Sequence, residues 1–168
     1  MPLSNSELEY FDQNVLRLPA EKRTEYHAQV DNLVAELKKR ITGQIKLKVT
    51  KVVKAGSFAK YTILKKVDDY PTDVDVVFYI TGVDEDGESY KDLCNKIYDL
   101  LIGIYPTKKV DDFEIQRRAA KVTFIKSGLE VDVVPVLQDS SNPDHGWQYD
   151  IESGVRNLTC APCHIQFV

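Results

Sequence analysis

Apolar residues at helical intervals predict two helices at the start of the chain. The segment from Ser4 to Glu7 has the spacing of a capping box, and the apolar residues after it predict a helix from about Ser6 to Arg17. A second helix opens at Pro19, and its apolar stripe ends near Gly43. We expect these N-terminal helices, residues 1–43, to pack on a core formed by residues 44–168, so that the chain makes one structural domain.

Beyond Gly43, several short segments alternate apolar and polar residues with the period of two that strands require. A bulge is expected near Lys51, and Lys126-Ser127-Gly128 predicts a hairpin turn. The predicted strands cover 45–50, 73–80, 113–116, 119–125 and 129–137, with helices over 58–66 and 88–102 and a loop-rich tail from 138. This mixture predicts an α+β (mixed α/β) fold, in which helices flank a twisted mixed β-sheet.

Composition excludes several other classes of protein. With 168 residues, 43% of them apolar and 29% charged, the chain can bury a core, which excludes a disordered tail and a collagen-like fibre. The sequence offers neither a signal peptide nor an apolar run long enough to span a membrane, so we expect a cytoplasmic protein without membrane contact. Cys94, Cys160 and Cys163 then fit a reducing compartment, where structural disulfides are rare.

Charge is divided unevenly along the chain, whose net charge is −4. Ten basic residues and no acidic one lie between Lys38 and Lys66, whereas Val67 to Glu114 holds thirteen acidic residues against four lysines. Two solvated faces explain such a division, and an anion-binding wall beside a cation-binding one is the sharper hypothesis. Nucleic-acid binding has little support, because the basic segment lacks an arginine-rich or aromatic-interleaved pattern.

Three carboxylates interrupt apolar strands. Asp73 and Asp75 are two residues apart and therefore project from one face of their strand, and Asp132 interrupts a second strand that can pair with the first. Neighbouring buried carboxylates need a compensating charge. A hard divalent cation such as Mg²⁺ supplies it, so the three residues predict a metal site.

Gly56 and Ser57 lie upstream of these carboxylates at a predicted strand-to-helix turn. Glycine permits the backbone to approach a ligand closely, and helix amides together with a serine hydroxyl can hold phosphate oxygens. A phosphate-binding turn thus precedes a metal-binding strand.

Three stretches in this order resemble a known family: Ala55 to Lys60, Thr72 to Val77 and Leu129 to Pro135. A Gly-Ser turn, an Asp-x-Asp strand and a third Asp on a later strand are the signature of the DNA polymerase beta-like nucleotidyltransferase superfamily. The longer stretches are similar to the bacterial cGAS/DncV-like nucleotidyltransferases (CD-NTases) of anti-phage defence. The resemblance covers about Ala20 to Val168 and implies a polymerase beta-like core.

The resemblance also implies an activity, the joining of NTPs with release of pyrophosphate into a cyclic or short linear oligonucleotide messenger. ATP and/or GTP are the expected substrates, with regulatory or effector proteins as partners. Gly56, Ser57 and Lys60 would contact the nucleotide. A second, helical lobe is expected after the third Asp, and this chain ends where that lobe would begin.

Metal ligation is the other role that the resemblance implies. Asp73 and Asp75 would hold two Mg²⁺ or Mn²⁺ ions, and Asp132 would complete the site that activates the attacking hydroxyl. Two alternatives stay open: transfer of a nucleotide to RNA or protein, and a degenerate or truncated domain that binds nucleotide without turnover.

The end of the chain carries a second candidate site, Cys160-Ala161-Pro162-Cys163-His164. Its pattern matches haem attachment, which an export signal normally accompanies, and zinc ligation with distant His145 is another alternative. We favour a third interpretation from the resemblance, in which Pro162 and His164 begin the second lobe. Nearby, Trp147 and Tyr149 are aromatic residues that either stack on a base or pack over a sheet edge.

Overall fold

The computed structural model describes residues 3–59 and 71–166, without the side chains of Leu16, Ser57 and Ala59. The helices are α1 (Asn5–Phe11), α2 (Ala20–Gly43), α3 (Gly56–Ala59), α4 (Gly87–Ile104) and α5 (Ala161–Gln166), with a π-helical turn at Asp12–Leu16 and a 3-10 turn at Val110–Asp112. The strands are β1 (Lys48–Ala55), β2 (Thr72–Thr81), β3 (Phe113–Ile115), β4 (Ala120–Phe124), β5 (Leu129–Gln138), β6 (Gly146–Tyr149) and β7 (Arg156–Thr159).

The described strands form one mixed sheet in the order β1-β2-β5-β4-β3, and β6 and β7 extend it from the end of β5. Strands β2 and β5 run parallel at its centre, whereas the β1–β2, β4–β5 and β3–β4 pairs are antiparallel. This arrangement confirms the α+β fold class.

One face of the sheet is covered by α2 and α4. The inward side chains of α2 recur every three or four residues, and those of α4 do the same, so each helix buries one stripe against the sheet. They share a core with alternate residues of β2, namely Val74, Val76, Phe78 and Ile80. The opposite face carries a smaller apolar cluster of Val77, Tyr79, Val136 and Ala161.

The structure corrects the predicted elements at three places. The first helix changes to a π-helical turn after Phe11. The first strand begins only at Lys48, because Lys46 adopts a left-handed φ of 58° that interrupts extended backbone; the expected bulge is present between Val49 and Lys51.

The third correction concerns the tail, because the prediction of a loop-rich segment misses β6, β7 and α5. Most of the helix predicted over 58–66 lies outside the described residues. Among the described helices, none is both long and apolar enough to span a membrane.

Candidate active site

The three predicted carboxylates meet at the centre of the sheet. In the parallel pairing of β2 with β5, Asp75 lies directly opposite Asp132, and Asp73 lies opposite Glu130. Alternation places all four on one face, the face that carries Tyr79 rather than the one covered by α2 and α4. As expected, two neighbouring strands place Asp73, Asp75 and Asp132 on one face of the sheet, and their ligation of metal stays a prediction.

Burial disfavours negative charge on this pair of strands. The Asp132 side chain is 21% exposed, and its Oδ1 is buried without a hydrogen-bond partner. Burial, followed by the nearby charges of Asp75 and Asp73, raises the pKa of Asp132 to about 6 against the pull of Lys121. Burial and the charge of Asp73 likewise raise the pKa of Asp75. A buried carboxylate oxygen without a hydrogen bond, among other carboxylates, fits a hard divalent cation, which prefers oxygen ligands.

A lysine on the neighbouring strand partly neutralises the charge of these carboxylates. Lys121 of β4 faces Asp132, and its Nζ lies 2.9 Å from Glu130 Oε2 and 3.9 Å from Asp132 Oδ1. Burial alone would lower the pKa of Lys121, but its hydrogen bond to Glu130 and the carboxylate charges outweigh burial and raise it. Thr123 donates a hydrogen bond of 3.1 Å to Glu130 Oε1.

Lys121 and Glu130 were not singled out from the sequence. Their signal was nevertheless present, because each is a charged residue within an apolar strand, and Glu130 stands two positions before Asp132, as Asp73 does before Asp75.

The Gly-Ser turn lies against the carboxylates. Gly56 follows β1 with a φ of +67°, and a Cβ built on it would lie only 2.9 Å from Asp75 Oδ2. Ala55 pairs with Asp75 across β1 and β2, which fixes this approach. Glycine is therefore required here both by conformation and by space. Ser57 lies next in α3, but its side chain and the whole of Lys60 fall outside the described residues.

An open cleft of about 640 Å³ extends from the carboxylates past the start of β4. It adds basic and polar groups that the sequence alone did not indicate. The residues lining it are Asp75, Gln116, Arg117, Arg118, Ala119, Asp132, Val134, Gln148 and Asp150. Positive groups beside a cluster of carboxylates suit a ligand that carries both a metal ion and phosphates.

The basic segment before residue 66 does not form a wall beside this cleft in the part of the chain that is described. Lys51 pairs with Asp144, and Lys54 pairs with Asp31 on α2. Both lysines already pair with carboxylates away from the cleft, so they do not support the hypothesis of an anion-binding wall.

The candidates of the tail are also placed. The guanidinium of Arg156 lies 3.6 Å from the centre of the Trp147 ring, and Tyr149 is buried, so both aromatic residues pack within the β6–β7 hairpin. Cys160 and Cys163 are joined by a disulfide, contrary to the expectation of reduced cysteines, and His145 lies next to them.

Comparison with known families gives one match over most of the chain. Residues 1–162 match the family described as "Second Messenger Oligonucleotide or Dinucleotide Synthetase domain". The chain is also 51% identical to a protein of Escherichia coli (strain KTE188) named "CBASS oligonucleotide cyclase CdnC", over all 168 residues of this chain and 54% of that protein. The chain spans about half the length of the curated relatives that it matches.

Two solved structures of CdnC from E. coli MS115-1 are similar as well. The structure with ATP has a TM-score of 0.73 at 27% identity, covering 98% of this chain and 50% of that one. The complex of CdnC with HORMA-deltaN has a TM-score of 0.71 at 28% identity, covering 95% of this chain and 48% of the CdnC chain.

Proposed function

The chain belongs to the family of second messenger oligonucleotide or dinucleotide synthetase domains, and from this premise we propose that it is the catalytic core of a metal-dependent nucleotidyltransferase. It would join NTPs, with loss of pyrophosphate, into a cyclic or short linear oligonucleotide that signals in anti-phage defence. The observation that carries this proposal is the pairing of Asp75 with Asp132 across parallel strands, with Gly56 against the Asp75 carboxylate.

Asp73, Asp75 and Asp132 are the proposed ligands of two divalent ions, Mg²⁺ or Mn²⁺. Their oxygens face one side of the sheet, and the buried Oδ1 of Asp132 has no hydrogen bond that a metal would have to displace. Such ions neutralise the triphosphate and lower the pKa of a bound hydroxyl. Lys121 faces Asp132 from β4 and is hydrogen-bonded to Glu130, so we assign Lys121 and Glu130 positioning roles.

Gly56, Ser57 and Lys60 are proposed to contact the donor nucleotide. The backbone at Gly56 approaches the Asp75 carboxylate closely enough that a triphosphate held by this turn would reach the same oxygens that hold metal. Arg117 and Arg118 border the cleft on its other side. Arg117 is paired with Glu152, so Arg118 is the arginine proposed to pair with phosphate oxygens.

The proposed step is an in-line displacement. A ribose hydroxyl oxygen attacks the α-phosphorus, the new P–O bond forms as the bond from that phosphorus to the bridging oxygen breaks, and pyrophosphate leaves with the electron pair. Asp132 would activate the hydroxyl, either by taking its proton as a base or as a metal ligand that lowers the pKa of the hydroxyl.

Substrates and partners follow from the relatives as proposals. One CdnC structure is described with ATP, which favours ATP among the substrates of this protein. Another contains HORMA-deltaN, so a regulatory protein of that kind is a candidate partner.

The test uses the full gene product with α-labelled NTPs and Mg²⁺, with and without Mn²⁺. We expect labelled oligonucleotide and pyrophosphate from the wild type, and a loss of at least about a hundredfold for Asp75→Asn. Asp92→Asn is the matched control, since Asp92 is an exposed carboxylate on α4 paired with Lys96. Unchanged product formation by Asp75→Asn would contradict the proposed mechanism. Label found only on an added RNA or protein would instead favour transfer of the nucleotide to a macromolecule.

A further inference from the structure

A second group of metal-ligating side chains lies on the same face of the sheet as the carboxylates. The ligand atoms of His145, Cys160 and Cys163 all lie within 4.8 Å of one another, and no other His, Cys, Asp or Glu among the described residues joins them. His145 precedes β6, whereas the cysteines flank the start of α5, so the group connects two segments that are distant in sequence. We propose that these three side chains bind a zinc ion when the cysteines are in the thiol form.

The residue types and their spacing suit zinc. Two thiolates in a Cys-x-x-Cys segment and one imidazole are three of the four ligands of a tetrahedral zinc site. In such a site the ligand atoms lie about 3.3–3.8 Å apart, as follows from Zn–S and Zn–N distances near 2.3 and 2.1 Å. On reduction the two sulfurs move apart to that spacing, and the His145 ring closes on them by about 1 Å. Water supplies the fourth ligand.

A buried tyrosine holds the two halves of the site together. The Tyr79 hydroxyl donates a hydrogen bond of 3.0 Å to the carbonyl of Asp144, next to His145, and accepts one of 3.0 Å from the amide of Ala161, next to Cys160. Tyr79 itself is fully buried in β2. The ligands are therefore positioned by protein contacts that exist without a metal, which lowers the entropic cost of binding.

The loop before β6 is ordered in the same way. The amide of His145 donates a hydrogen bond of 3.1 Å to the Asn142 carbonyl, and the His145 carbonyl accepts one of 3.1 Å from the Asp139 amide. The Gln138 side chain donates to the carbonyls of both Asn142 and His145. These contacts fix the backbone of His145 and so direct its ring toward the cysteines.

The redox state of the cysteines decides whether metal binds. The disulfide between Cys160 and Cys163 leaves neither sulfur with the negative charge that zinc requires. Two electrons and two protons from a dithiol reductant convert it to two thiols, and zinc binding then releases those two protons to solvent. In the disulfide form the Cys163 amide donates a hydrogen bond of 3.2 Å to Cys160 Sγ, and the same donor would stabilise a thiolate at Cys160 after reduction.

This site is separate from the proposed catalytic centre. Tyr79 stands four residues beyond Asp75 on β2, which corresponds to about 13 Å along the strand. Zinc would join the segment after β5 to the start of α5, and so would fix how the chain leaves the sheet. Catalysis by the carboxylates does not require it.

The experiment measures metal in this chain purified with a phosphine reductant that does not bind zinc. We expect about one zinc per chain by elemental analysis, released on chelation. Cobalt added to the metal-free protein should give the intense visible bands of tetrahedral coordination and the thiolate charge-transfer band in the near ultraviolet. Cys160→Ser and Cys163→Ser should each lose the thiolate band strength of one sulfur.

Two histidine variants test whether His145, rather than His164, is the imidazole ligand. His145→Gln should weaken cobalt affinity by at least about tenfold, whereas His164→Gln, an exposed neighbour of Cys163, should leave it unchanged. Tyr79→Phe should weaken it by a smaller factor while both thiolate bands persist, as expected of a positioning residue. Far-UV circular dichroism confirms that each variant is folded.

Three outcomes would overturn the proposal: reduced wild type that binds neither zinc nor cobalt, an intact disulfide by mass after reduction, or loss of the bands in His164→Gln but not in His145→Gln. Asp75→Asn serves as the arm for the catalytic site. It should abolish nucleotidyl transfer and retain zinc, so failure of either proposal is recognised independently.

Discussion

The Asp132 carboxylate is held where its charged form is unfavourable. Burial raises its pKa to about 6, so the folded chain binds a proton in a pH range in which the unfolded chain has released it. The free energy of unfolding of the metal-free protein should consequently fall as the pH rises from about 4 to about 6, and stay low above that range. Burial of this carboxylate thus lowers the stability of the metal-free protein.

Asp132→Asn should remove this cost while abolishing catalysis. Without metal at pH 7.5, we expect a gain of about 1 kcal/mol, which corresponds to about 2–4 °C in Tm, because loss of the unfavourable charge outweighs loss of the distant contact with Lys121. Differential scanning calorimetry in a chelator, from pH 4 to pH 8, measures both the gain and its absence at low pH.

Asp73→Asn is the matched control, since Asp73 lies on the same strand face but is exposed. It should change Tm by less than about 1 °C and should shift the pH dependence only slightly toward lower pH, because burial contributes more than the charge of Asp73 to the raised pKa of Asp132. A lower Tm for Asp132→Asn at pH 7.5 would contradict the proposed origin of the cost.

Two glycines with nearly the same backbone conformation test the close approach at the Gly56-Ser57 turn. Gly56 and Gly154 have φ of +67° and +72°, but a Cβ meets Asp75 Oδ2 at 2.9 Å in the first and nothing within 4 Å in the second. Alanine at either position pays a similar backbone strain of about 1 kcal/mol.

Gly56→Ala should in addition displace the Asp75 carboxylate. We expect activity of the full gene product to fall by about a hundredfold or more, against less than twofold for Gly154→Ala, with similar losses of stability. Steady-state kinetics and chemical denaturation of both variants give the comparison. Equal activities would show that Gly56 serves the turn alone.

At the scale of elements, the parts that sequence could predict are those with strong hydrophobic patterning. Each of β2, β5, α2 and α4 buries a stripe or a whole face, so its sequence has a clear hydrophobic period. The predicted bounds of these elements are therefore close to the observed ones. The approach of Asp75 to Asp132 followed from the same pattern. Its parallel register did not, because pairing between distant strands leaves no local signal.

The tail was missed for a physical reason. Strands β6 and β7 have four residues each, and β7 is mostly exposed, so neither has a clear apolar alternation. Helix α5 was not predicted because it contains Pro162 within a Cys-x-x-Cys segment, although proline is tolerated in the first turn of a helix. The pocket arginines and the grouping of His145 with Cys160 likewise depend on how this tail folds back on the sheet.

Arg156 is expected to hold the β6–β7 hairpin together. Its guanidinium lies 3.6 Å from the Trp147 ring centre and 2.7 Å from Glu85 Oε2. Arg156→Ala should cost about 1 kcal/mol and shift the emission of Trp147, the chain's single tryptophan, to longer wavelength as water reaches the ring. Thermal unfolding and fluorescence spectra check both.

Arg117→Ala is the control for the ion pair by itself. Arg117 lies 2.8 Å from Glu152, and both side chains are more than 60% exposed, so this pair should contribute less than about 0.5 kcal/mol. Equal losses of stability in Arg156→Ala and Arg117→Ala would contradict a stabilising role for the stacking of Arg156 on Trp147.

At the scale of the whole molecule, the described lining of the cleft offers charged and polar groups for phosphates and metal but no surface on which a base could stack. Its described lining consists of carboxylates, two arginines, amides and small side chains, and none of these residues is aromatic. Trp147, a candidate for base stacking, is already covered by Arg156. The chain spans about half the length of its curated relatives.

We therefore expect this chain to bind metal-bound triphosphate with little regard for the base. Stacking of a base on an aromatic ring contributes about 1–3 kcal/mol, which would separate a nucleotide from inorganic tripolyphosphate by at least about fivefold. Isothermal titration calorimetry in Mg²⁺ should instead give Kd values for ATP, GTP and tripolyphosphate within about threefold of one another. Asp75→Asn should weaken all three together, because the metal ligands are shared. Tenfold preference for one nucleotide by this chain would mean that base recognition already resides on the face that carries Asp75 and Asp132.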